Sequence, residues 1–413
     1  MYRVAIISYH TCPVAPLGGP ETGGLNVYVR ELSRELAERG HEVDVFTRRA
    51  GDVPADEPAL VDGSPHARLI HIDAGPSEYV EKPLLPDYLD HFEQGVLAFA
   101  AREGITYDIV HSHYWLSGIV GERLKARWGV PHVTMFHTLA EVKSRSRISE
   151  WEPDVRFAGE HAIVQQADRI IAAGTDEKAL LVRLYDAAAE RVSVVPCGVN
   201  LDLFHPVDQR EARRALSLRD DDRILLFVGR VEPLKGIDIL LGAAAELAVE
   251  HDCTVLVAGG DSSAQEGEIA YLRNLAKRYG IADRVRFLGA VEHERLPLYY
   301  SAADVCVVPS FYESFGLVAL EAMACGTPVV ASRVGGLAGT VRDGETGYLI
   351  PWRCPEPFAE RIELLLGNEE LRRAFGRTAR EAVERFRWAN VAEQVIGVYR
   401  ELIERVPAGT ATR

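Results

Sequence analysis

Short apolar runs alternate with segments of helical periodicity along most of the chain. A continuous apolar run bounded by polar residues is typical of a parallel strand that is buried on both faces. The segments between the runs, beginning with residues 25–39, have helical periodicity. The pattern therefore predicts an α/β protein whose parallel sheets are covered by helices. The predicted strands are residues 4–8, 43–47, 109–111, 132–136, 169–172, 192–195, 224–228, 254–257, 285–288, 305–308 and 328–331.

The strand and helix pattern restarts after a turn-rich stretch at residues 196–206. A chain of 413 residues is long enough for two domains. We predict an N-terminal domain at 1–205, a C-terminal domain at 206–385, and a last helical segment at 386–413 that can pack on either domain, with packing back on the N-terminal domain as the candidate arrangement. Each domain is expected to be a doubly wound, Rossmann-like sheet. The two are expected to face a cleft at the carboxyl ends of their strands, where such folds bind ligands.

The composition limits the location and the partners of the protein. Hydrophobic residues make up 47% of the chain and charged residues 26%, as in an ordinary globular protein. A formal net charge of -15 argues against general binding to nucleic acid or to anionic membranes. The six cysteines lack metal-ligand spacing, so we expect free thiols and a cytoplasmic location. The sequence shows neither a signal-peptide pattern nor an apolar run of membrane-spanning length.

The most informative stretch runs from Ser310 to Glu321, where a polar loop passes into an apolar helix. We predict that this helix begins near Ser314, so that its free backbone N–H groups and its positive dipole end form a phosphate site. Glu313 at its mouth could accept hydrogen bonds from sugar hydroxyls. Glu321, about two turns further along, would lie on nearly the same face and could hold a ribose. The alternative is an amphipathic helix with two solvated glutamates.

A basic loop, Gly229–Gly236, follows the predicted strand at 224–228. Its Arg230 and Lys235 leave the carboxyl end of that strand, where a guanidinium and an ammonium can together neutralise a diphosphate. Alone, each of them would more often be a solvated surface charge. The predicted helix end after Glu313 lies in the same half of the chain and favours the diphosphate interpretation.

A glycine-rich loop, Gly18–Gly24, follows the first predicted strand and leads into the helix at 25–39. Glycine lets the backbone approach a ligand closely. We therefore expect a mobile loop, with Gly24 and Asn26 near a bound phosphate or a second substrate. The loop lacks the GxGxxG pattern of dinucleotide-binding folds, and a plain flexible turn is the alternative.

Histidines and scattered basic residues complete the candidate chemistry. His137 ends the strand at 132–136 and could hydrogen-bond a sugar, although a lone histidine is more often structural. His111 and His113 end the preceding strand without an evident third metal ligand, so we expect no metal. Five basic residues, assigned to loops of the N-terminal half, either hold a second phosphate or form a solvated face. They are Lys82, Lys143, Arg145, Arg147 and Arg156.

These motifs together resemble the retaining glycosyltransferases of family 4, which have the GT-B fold. The segment Glu313–Glu321 matches the E-x7-E motif of that family, and Gly23-Gly24 matches its glycine loop. Arg230 and Lys235 match its diphosphate-binding pair. The resemblance extends over essentially the whole chain.

Within the family, four segments are similar to those of members that glycosylate inositol 3-phosphate, and next to those of sucrose-phosphate synthase-like members. The segments are Gly23–Val29, His111–Gly118, His137–Lys143 and Glu313–Glu321. Two positions depart from the pattern. Leu25 stands where methionine is usual, and Ser144 stands where an asparagine is expected after the lysine.

The resemblance implies transfer of a sugar from a nucleotide diphosphate sugar, UDP-GlcNAc or UDP-glucose, to a hydroxyl of a small phosphorylated acceptor. The acceptor would be similar to inositol 3-phosphate or, alternatively, fructose 6-phosphate. The UDP-sugar is a co-substrate, and neither a further cofactor nor a catalytic metal is implied. A homodimer is expected from the family. The implied catalytic residues are His137, Arg230, Lys235 and Glu313; the donor-binding residues are Gly24, Gly229, Arg230, Lys235, Val291, Glu313, Ser314, Phe315, Gly316, Leu317 and Glu321; the acceptor-binding residues are Asn26, Lys82, Tyr114, Thr138 and Arg156.

Three other functions stay open at this point. A nucleotide-sugar epimerase can share the fold and would need no acceptor. An NAD-dependent oxidoreductase is disfavoured by the missing GxGxxG after the first strand. A non-catalytic sugar-nucleotide binding protein would not need His137, Arg230, Lys235, Glu313 and Glu321 together.

Overall fold

The computed structural model describes residues 1–15, 22–51, 58–146, 152–248, 252–260 and 266–405. The chain divides into two compact units. The first unit consists of Met1–Ala15, Gly24–Pro196 and the chain from Trp388 onward, and the second is mainly Cys197–Arg387. Each unit contains its own largely parallel sheet, and each is described by itself.

The sheet of the first unit is parallel apart from one edge pair. Its strands are β1 (Arg3–Ile7), β2 (Glu42–Arg48), β3 (Ala59–Leu60), β4 (Ala67–Ile72), β5 (Ile109–His113), β6 (His132–Met135), β7 (Arg169–Ala172) and β8 (Val192–Val194). They are ordered β3-β4-β2-β1-β5-β6-β7-β8, and only β3 and β4 pair antiparallel among the described strands. Because β1 has β2 on one side and β5 on the other, the winding direction reverses there. The loops after β1 and β5 therefore border a topological switch point, which is where such sheets bind ligands.

Helices cover the sheet of the first unit. The last of them, Trp388–Arg405, packs on helix α1 (Gly24–Glu38). The rings of Tyr28 and Trp388 meet edge to face with centroids 5.3 Å apart, and Arg39 Nε lies 2.9 Å from an oxygen of Glu393. Helix α1 ends before Gly40, whose φ of +78° is left-handed and stops the helix. The helices are α1 (Gly24–Glu38), α2 (Leu89–Glu103), α3 (Trp115–Trp128), α4 (Ala140–Ser146), α5 (Asp154–Gln166), α6 (Thr175–Tyr185) and, at the end of the chain, Trp388–Arg405.

The sheet of the second unit is wholly parallel over the described strands. They are β9 (Arg223–Val228), β10 (Cys253–Ala258), β11 (Val285–Gly289), β12 (Val305–Val308), β13 (Val329–Ser332) and β14 (Gly347–Ile350). Their order is β11-β10-β9-β12-β13-β14. Here β9 lies between β10 and β12, so the loops after β9 and β12 border the switch point of this sheet.

Apolar cores lie on both faces of this second sheet. On one face Leu225 and Phe227 of β9 pack with helix α8 (Ile237–Leu247), and on the other Leu226 packs with helix α11 (Leu317–Ala324). The helices are α7 (Gln209–Ala215), α8 (Ile237–Leu247), α9 (Glu266–Arg278), α10 (Leu296–Ala302), α11 (Leu317–Ala324), α12 (Gly335–Thr340), α13 (Pro355–Gly367) and α14 (Glu369–Ala382); the helix Trp388–Arg405 is hence α15. Short 3-10 helices precede several helices of both units, namely Lys82–Tyr88 before α2, Pro233–Lys235 before α8 and His293–Arg295 before α10.

The predicted α/β class with two doubly wound parallel sheets is confirmed. Each of the eleven predicted strands is present, with its ends within two residues of the prediction. Three further strands, β3, β4 and β14, were not predicted. Strand β4 carries Arg68 and His71 among its apolar residues, and this mixture hides it in a search for continuous apolar runs.

Candidate active site

Two loops of the second unit meet at its switch point. One follows β9 and the other follows β12, and they are joined by a backbone hydrogen bond from Phe311 N to Leu234 O of 2.8 Å. Gly236 adopts φ +66°, and a Cβ there would lie only 2.1 Å from the carbonyl oxygen of Pro309. A side chain at Gly236 would therefore force the two loops apart.

The contact that matters most in these loops is an ion pair between Lys235 and Glu313. The Lys235 Nζ lies 2.7 Å from Oε2 of Glu313. The other carboxylate oxygen of Glu313 accepts a hydrogen bond of 3.4 Å from Gly316 N. Burial on its own would raise the pKa of Glu313, but the Lys235 ammonium and the N–H groups of Gly316 and Phe315 outweigh it and lower the pKa. Glu313 is therefore a fixed carboxylate whose charge is matched by Lys235.

The structure corrects the predicted start of the helix after Glu313. Helix α11 begins at Leu317, and Gly316 before it has a left-handed φ of +75°. Glu313 thus lies in the loop, not on the same helix face as Glu321. The N–H groups of the first turn, beginning with Leu317, still lack partners inside the helix and mark its positive end.

The backbone of the loop that precedes α11 packs closely against Gly335 and Gly336. Gly336 N donates to the carbonyl of Glu313 at 3.0 Å, and a Cβ on Gly335 would lie 1.9 Å from that same oxygen. Phe315 is buried, and Ser314 Oγ donates to the hydroxyl of Tyr312 at 3.2 Å. Backbone packing of this closeness makes the segment rigid, which suits a site that must be ready before its ligand arrives.

Arg230 has a more open position than Lys235. Its guanidinium lies 3.1 Å from Glu232, and 38% of its side chain is exposed. It follows Gly229, whose φ of +144° is accessible to glycine, and Gly229 N donates to Ala258 O at 3.0 Å. Arg230 is thus placed after the carboxyl end of β9 with a side chain that can still move.

Glu321 is buried rather than solvated, which is evidence against the two-solvated-glutamates alternative. Its Oε2 accepts a 2.7 Å hydrogen bond from the hydroxyl of Tyr300, and its Oε1 lies 3.2 Å from Nε2 of His293. Burial and the nearby Glu321 carboxylate raise the pKa of Tyr300, which keeps that hydroxyl a donor. The 3-10 turn of His293 begins two residues after Val291, a predicted donor-binding residue that is partly buried. Neither His293 nor Tyr300 was singled out from the sequence.

In the first unit, His137 follows β6 in a strained conformation. Its φ is +61°, an uncommon value for a residue with a side chain. Its Nε2 lies 2.8 Å from Nδ1 of His113, so one ring donates to the other. Burial and, less strongly, His111 lower the pKa of His137 to about 3, so the ring is neutral at physiological pH. The structure places His111 in the core, where its Nδ1 lies 2.7 Å from the hydroxyl of Tyr399.

Three predicted acceptor residues lie together at the end of β5 and β6. The guanidinium of Arg156 donates to the carbonyl and to Oγ1 of Thr138 at 3.0 and 2.9 Å. It also lies over the ring of Tyr114, 5.0 Å from the centroid. Glu152 and Glu160 accept from the same guanidinium at 2.8 and 2.7 Å. Arg156 is therefore buried and almost fully hydrogen-bonded, and it positions Thr138.

His10 belongs to this cluster and was missed in the sequence. Its ring lies 4.3 Å from that of Tyr114, centroid to centroid. Burial lowers the pKa of His10, and Lys82, His137 and Arg156 lower it further. The ring is thus neutral and lies in the field of two cations, Lys82 and Arg156. A single histidine after a strand has no periodic signal, so only the fold could reveal it.

The remaining predicted residues have mixed outcomes. Asn26 is buried in α1, and its amide donates to Thr11 Oγ1 and Cys12 O at 2.8 and 2.7 Å, so it fixes the loop after β1. Gly24 is the first residue of α1. The glycine loop before it and Arg147 fall outside the described residues, apart from Thr22 and Gly23.

The prediction that the basic residues of the first half lie in loops was wrong for the four that the structure describes. Lys82 opens a 3-10 turn, and Arg156 lies in α5. Lys143 and Arg145 lie in α4, where Lys143 is 2.7 Å from Glu152 and Arg145 pairs with Glu141. Pro153 at the N-cap of α5 and the short length of α4 made these helices hard to recognise from periodicity.

The described part of the chain contains no group of three histidine, cysteine, aspartate or glutamate side chains arranged to hold a metal ion. Among the same residues, no helix is long and apolar enough to cross a membrane. All six cysteines are free thiols.

Two doubly wound sheets, each with charged side chains at its switch point, are the architecture of a GT-B glycosyltransferase. The sequence profile described as "Glycosyltransferase Family 4" matches residues 22–203, and that described as "Glycosyl transferases group 1" matches residues 208–382. The chain belongs to glycosyltransferase family 4 and is a transferase enzyme.

Individual relatives agree with this assignment. The chain is 47% identical to D-inositol 3-phosphate glycosyltransferase 2 of Catenulispora acidiphila, over 98% of this chain and 96% of that protein. Its structure is similar to sucrose-phosphate synthase from Thermosynechococcus elongatus, with 39% identity, a TM-score of 0.90, and coverage of 98% of this chain and 100% of the other. It also shares its fold with the Anabaena protein HepE in complex with UDP-glucose, at 19% identity and a TM-score of 0.77, over 97% of this chain and 100% of that one.

Proposed function

We propose that the enzyme transfers glucose or N-acetylglucosamine from a UDP-sugar to a hydroxyl of a small phosphorylated acceptor, with retention of the anomeric configuration. The acceptor we favour is inositol 3-phosphate. The observation that carries the acceptor class is the cluster after β5 and β6, where Arg156 lies over Tyr114 and donates to Thr138, and where the ring of His10 meets that of Tyr114. Lys82 adds a positive charge close enough to lower the pKa of His10, and a cation beside hydroxyl donors suits a phosphate ester.

The second unit would bind the donor. Lys235, Arg230 and the first turn of α11 would hold the diphosphate, because cations and a helix N-terminus both favour an anion. Glu313 would accept hydrogen bonds from the sugar hydroxyls, and Glu321, positioned by Tyr300 and His293, would accept those of the ribose. The rigid backbone behind Glu313 would keep the sugar in one orientation.

The reaction needs no enzymic nucleophile. The bond between the anomeric carbon and the diphosphate oxygen breaks, and the acceptor hydroxyl oxygen bonds to that carbon from the same face. The hydroxyl proton passes to the departing phosphate oxygen, so the products are UDP and the glycoside. Lys235 and Arg230 would stabilise the charge that develops on the diphosphate. His137, neutral at physiological pH, would serve as a hydrogen-bond partner for the transferred sugar rather than as a cation.

The first unit would bind the acceptor. Lys82 would supply charge to the phosphate, and the hydroxyls of Thr138 and Tyr114 would supply hydrogen bonds. Arg156 would act mainly by holding Thr138, because four of its N–H groups already donate to protein oxygens. Asn26 would position the loop after β1.

A second acceptor is favoured by one comparison. The structure is similar along nearly its whole length to a sucrose-phosphate synthase, which supports fructose 6-phosphate as the alternative. Both acceptors are small hydroxyl-rich phosphate esters, so the cluster around Arg156 and Lys82 alone does not choose between them. A cytoplasmic location and a homodimer stay predictions, the first supported by the six free thiols.

A donor-by-acceptor activity grid tests the proposal. UDP-GlcNAc, UDP-glucose, GDP-glucose and ADP-glucose would each be offered with inositol 3-phosphate, fructose 6-phosphate and the two dephosphorylated forms. We expect turnover with a UDP-sugar and a phosphorylated acceptor, and a product whose anomeric proton coupling shows retention. Equal turnover with inositol and inositol 3-phosphate would contradict the acceptor class. Epimerised donor in the absence of acceptor would support an epimerase instead.

A further inference from the structure

The second unit has a pocket at the amino ends of its strands, whereas Lys235 and Glu313 follow the carboxyl ends. The pocket has a volume of about 490 Å³ and is lined by the residues just before β12, the turn before β13 and one face of α14. In a parallel sheet all strands begin at one end of the sheet and finish at the opposite end. The pocket is therefore separate from the loops after β9 and β12 that form the proposed donor site.

Arginines of α14 dominate the wall of this pocket, which we call the α14 pocket. Four of them line it, namely Arg372, Arg373, Arg377 and Arg380. Along the helix, Arg373 pairs with Glu369 at 2.5 Å and Arg380 pairs with Glu384 at 3.0 Å. Arg377 lies between them, is exposed, and has no ion-pair partner among the described residues. The only acidic residue of α14 that lines the pocket is Glu381.

The floor of the α14 pocket also carries excess positive charge. Asp304 is buried, and its carboxylate is shared by two arginines, with Arg213 at 2.9 Å and Arg372 at 3.3 Å. Its Oδ2 also accepts from Ile224 N at 2.7 Å. One negative charge thus faces two positive ones. The two guanidinium charges outweigh the carboxylate, so Asp304 does not prevent an anion from binding nearby.

The shape of the α14 pocket is set by close backbone packing. A Cβ on Gly376 would lie 2.1 Å from the carbonyl oxygen of Gly326, so α14 rests directly on the turn after α11. Thr327 Oγ1 donates to Tyr300 O at 2.6 Å, and Val207 N donates to Ser301 Oγ at 3.1 Å. These contacts join three walls of the pocket, so its arginines are presented on a fixed frame.

We propose that the α14 pocket is a second ligand site, which binds a small phosphorylated anion with two or more negative charges. Arginine forks suit phosphate oxygens, and the pocket has the size of a small-molecule site. A sugar phosphate and a free pyrophosphate both carry such charge on phosphate oxygens, so the pocket fits either of them. The proposal is independent of the donor and acceptor assignments, because none of the pocket residues belongs to those sites.

Calorimetric titration of the full-length protein tests this site. Saturating UDP is present throughout to fill the proposed donor site, and the ionic strength is fixed. Inorganic pyrophosphate is the probe in one arm and glucose 6-phosphate in the other. We expect Arg377→Ala to weaken one binding event at least about tenfold, which corresponds to loss of one charge-assisted hydrogen bond. Arg377→Lys should retain part of the affinity. The arm that binds more tightly identifies the chemical source of the phosphate.

Arg278→Ala is the matched control, because Arg278 is an exposed arginine near the end of another helix of the same unit, α9. It should titrate like the unsubstituted protein. The double variant Arg373→Ala/Arg377→Ala, checked for an unchanged melting temperature, should abolish the event. The proposal is overturned if neither probe binds, or if the double variant and Arg278→Ala give the same isotherm as the unsubstituted protein.

Discussion

Lys235 and Glu313 come from loops 78 positions apart in the chain and meet at 2.7 Å at the switch point of the second sheet. The pair brings together two groups that the proposed reaction requires, a cation for the leaving group and a carboxylate for the sugar. The ammonium can stabilise a departing diphosphate, and the carboxylate can orient the sugar that it leaves.

The leaving-group role of Lys235 can be tested by substitution. Lys235→Ala should lower kcat at least about a hundredfold, because loss of one preorganised charge partner costs on the order of 3 kcal/mol in the transition state. Lys277→Ala, an exposed lysine of α9, is the control and should have normal activity. A Lys235→Ala enzyme that is folded and retains nearly full turnover would remove Lys235 from the mechanism.

Glu313 should make stability depend on acid pH. Its folded-state pKa is lowered below the ordinary value of 4.5, so its ionised form stabilises the fold. That contribution is complete above about pH 4.5 and disappears as the pH falls through the lower folded-state pKa. The difference in melting temperature between the unsubstituted protein and Glu313→Gln should therefore be largest at neutral pH and should shrink in acid. A difference that grows in acid would show that the carboxylate is not stabilised by Lys235.

The acceptor phosphate should depend on Lys82. Lys82→Ala should raise KM for a phosphorylated acceptor at least about tenfold, since a charge-assisted contact is worth about 1.5–3 kcal/mol. Turnover of the dephosphorylated acceptor, where detectable, should be unchanged. Steady-state kinetics with both acceptors make the comparison, and equal losses with the two would exclude a phosphate contact at Lys82.

Arg156 should matter for folding as well as for binding. Arg156→Ala leaves the buried carboxylate of Glu160 without its guanidinium, a change that costs about 3–5 kcal/mol in comparable buried pairs. Urea unfolding should show this loss, and adding Glu160→Gln should recover part of it because the uncompensated charge is gone. If Arg156→Ala unfolds at the same urea concentration as the unsubstituted protein, the network is not structural.

His10 offers a direct report of anion binding. Burial and the cations Lys82 and Arg156 depress its pKa, together with His137. A phosphate bound in that cluster would favour the imidazolium, so inositol 3-phosphate should raise the pKa of His10. An NMR titration of the His10 ring protons measures the pKa with and without the acceptor. An unchanged pKa at saturation would place the phosphate elsewhere.

The sequence predicted the strands well because each parallel strand is buried on both faces and appears as an apolar run. It also predicted the loops after β9 and β12. Arg230 and Lys235 follow the apolar run of β9, and Glu313 lies between the apolar run of β12 and the next helix. It placed the start of the following helix near Ser314, and Gly316 shows why that was wrong: this left-handed residue precedes the helix, which begins at Leu317.

Residues that act through tertiary contacts were harder to find. His10, Tyr300 and His293 have no local pattern, and each gains its place only when distant segments pack together. Arg156 was predicted as a phosphate-binding residue because of its charge. Its hydrogen bonds to Glu152 and Glu160 could not be predicted, because the helix α5 was not recognised in the sequence.

Helix α11 is only eight residues long, which makes it about 12 Å from end to end. Its first turn adjoins the loop of Glu313, Glu321 lies in its middle, and Cys325 just beyond its last residue borders the α14 pocket. Closely packed interiors transmit strain, so α11 is the element through which a ligand at one of these places would act on the other. If an anion in the pocket changes the affinity for UDP by some factor, UDP must change the affinity for that anion by the same factor.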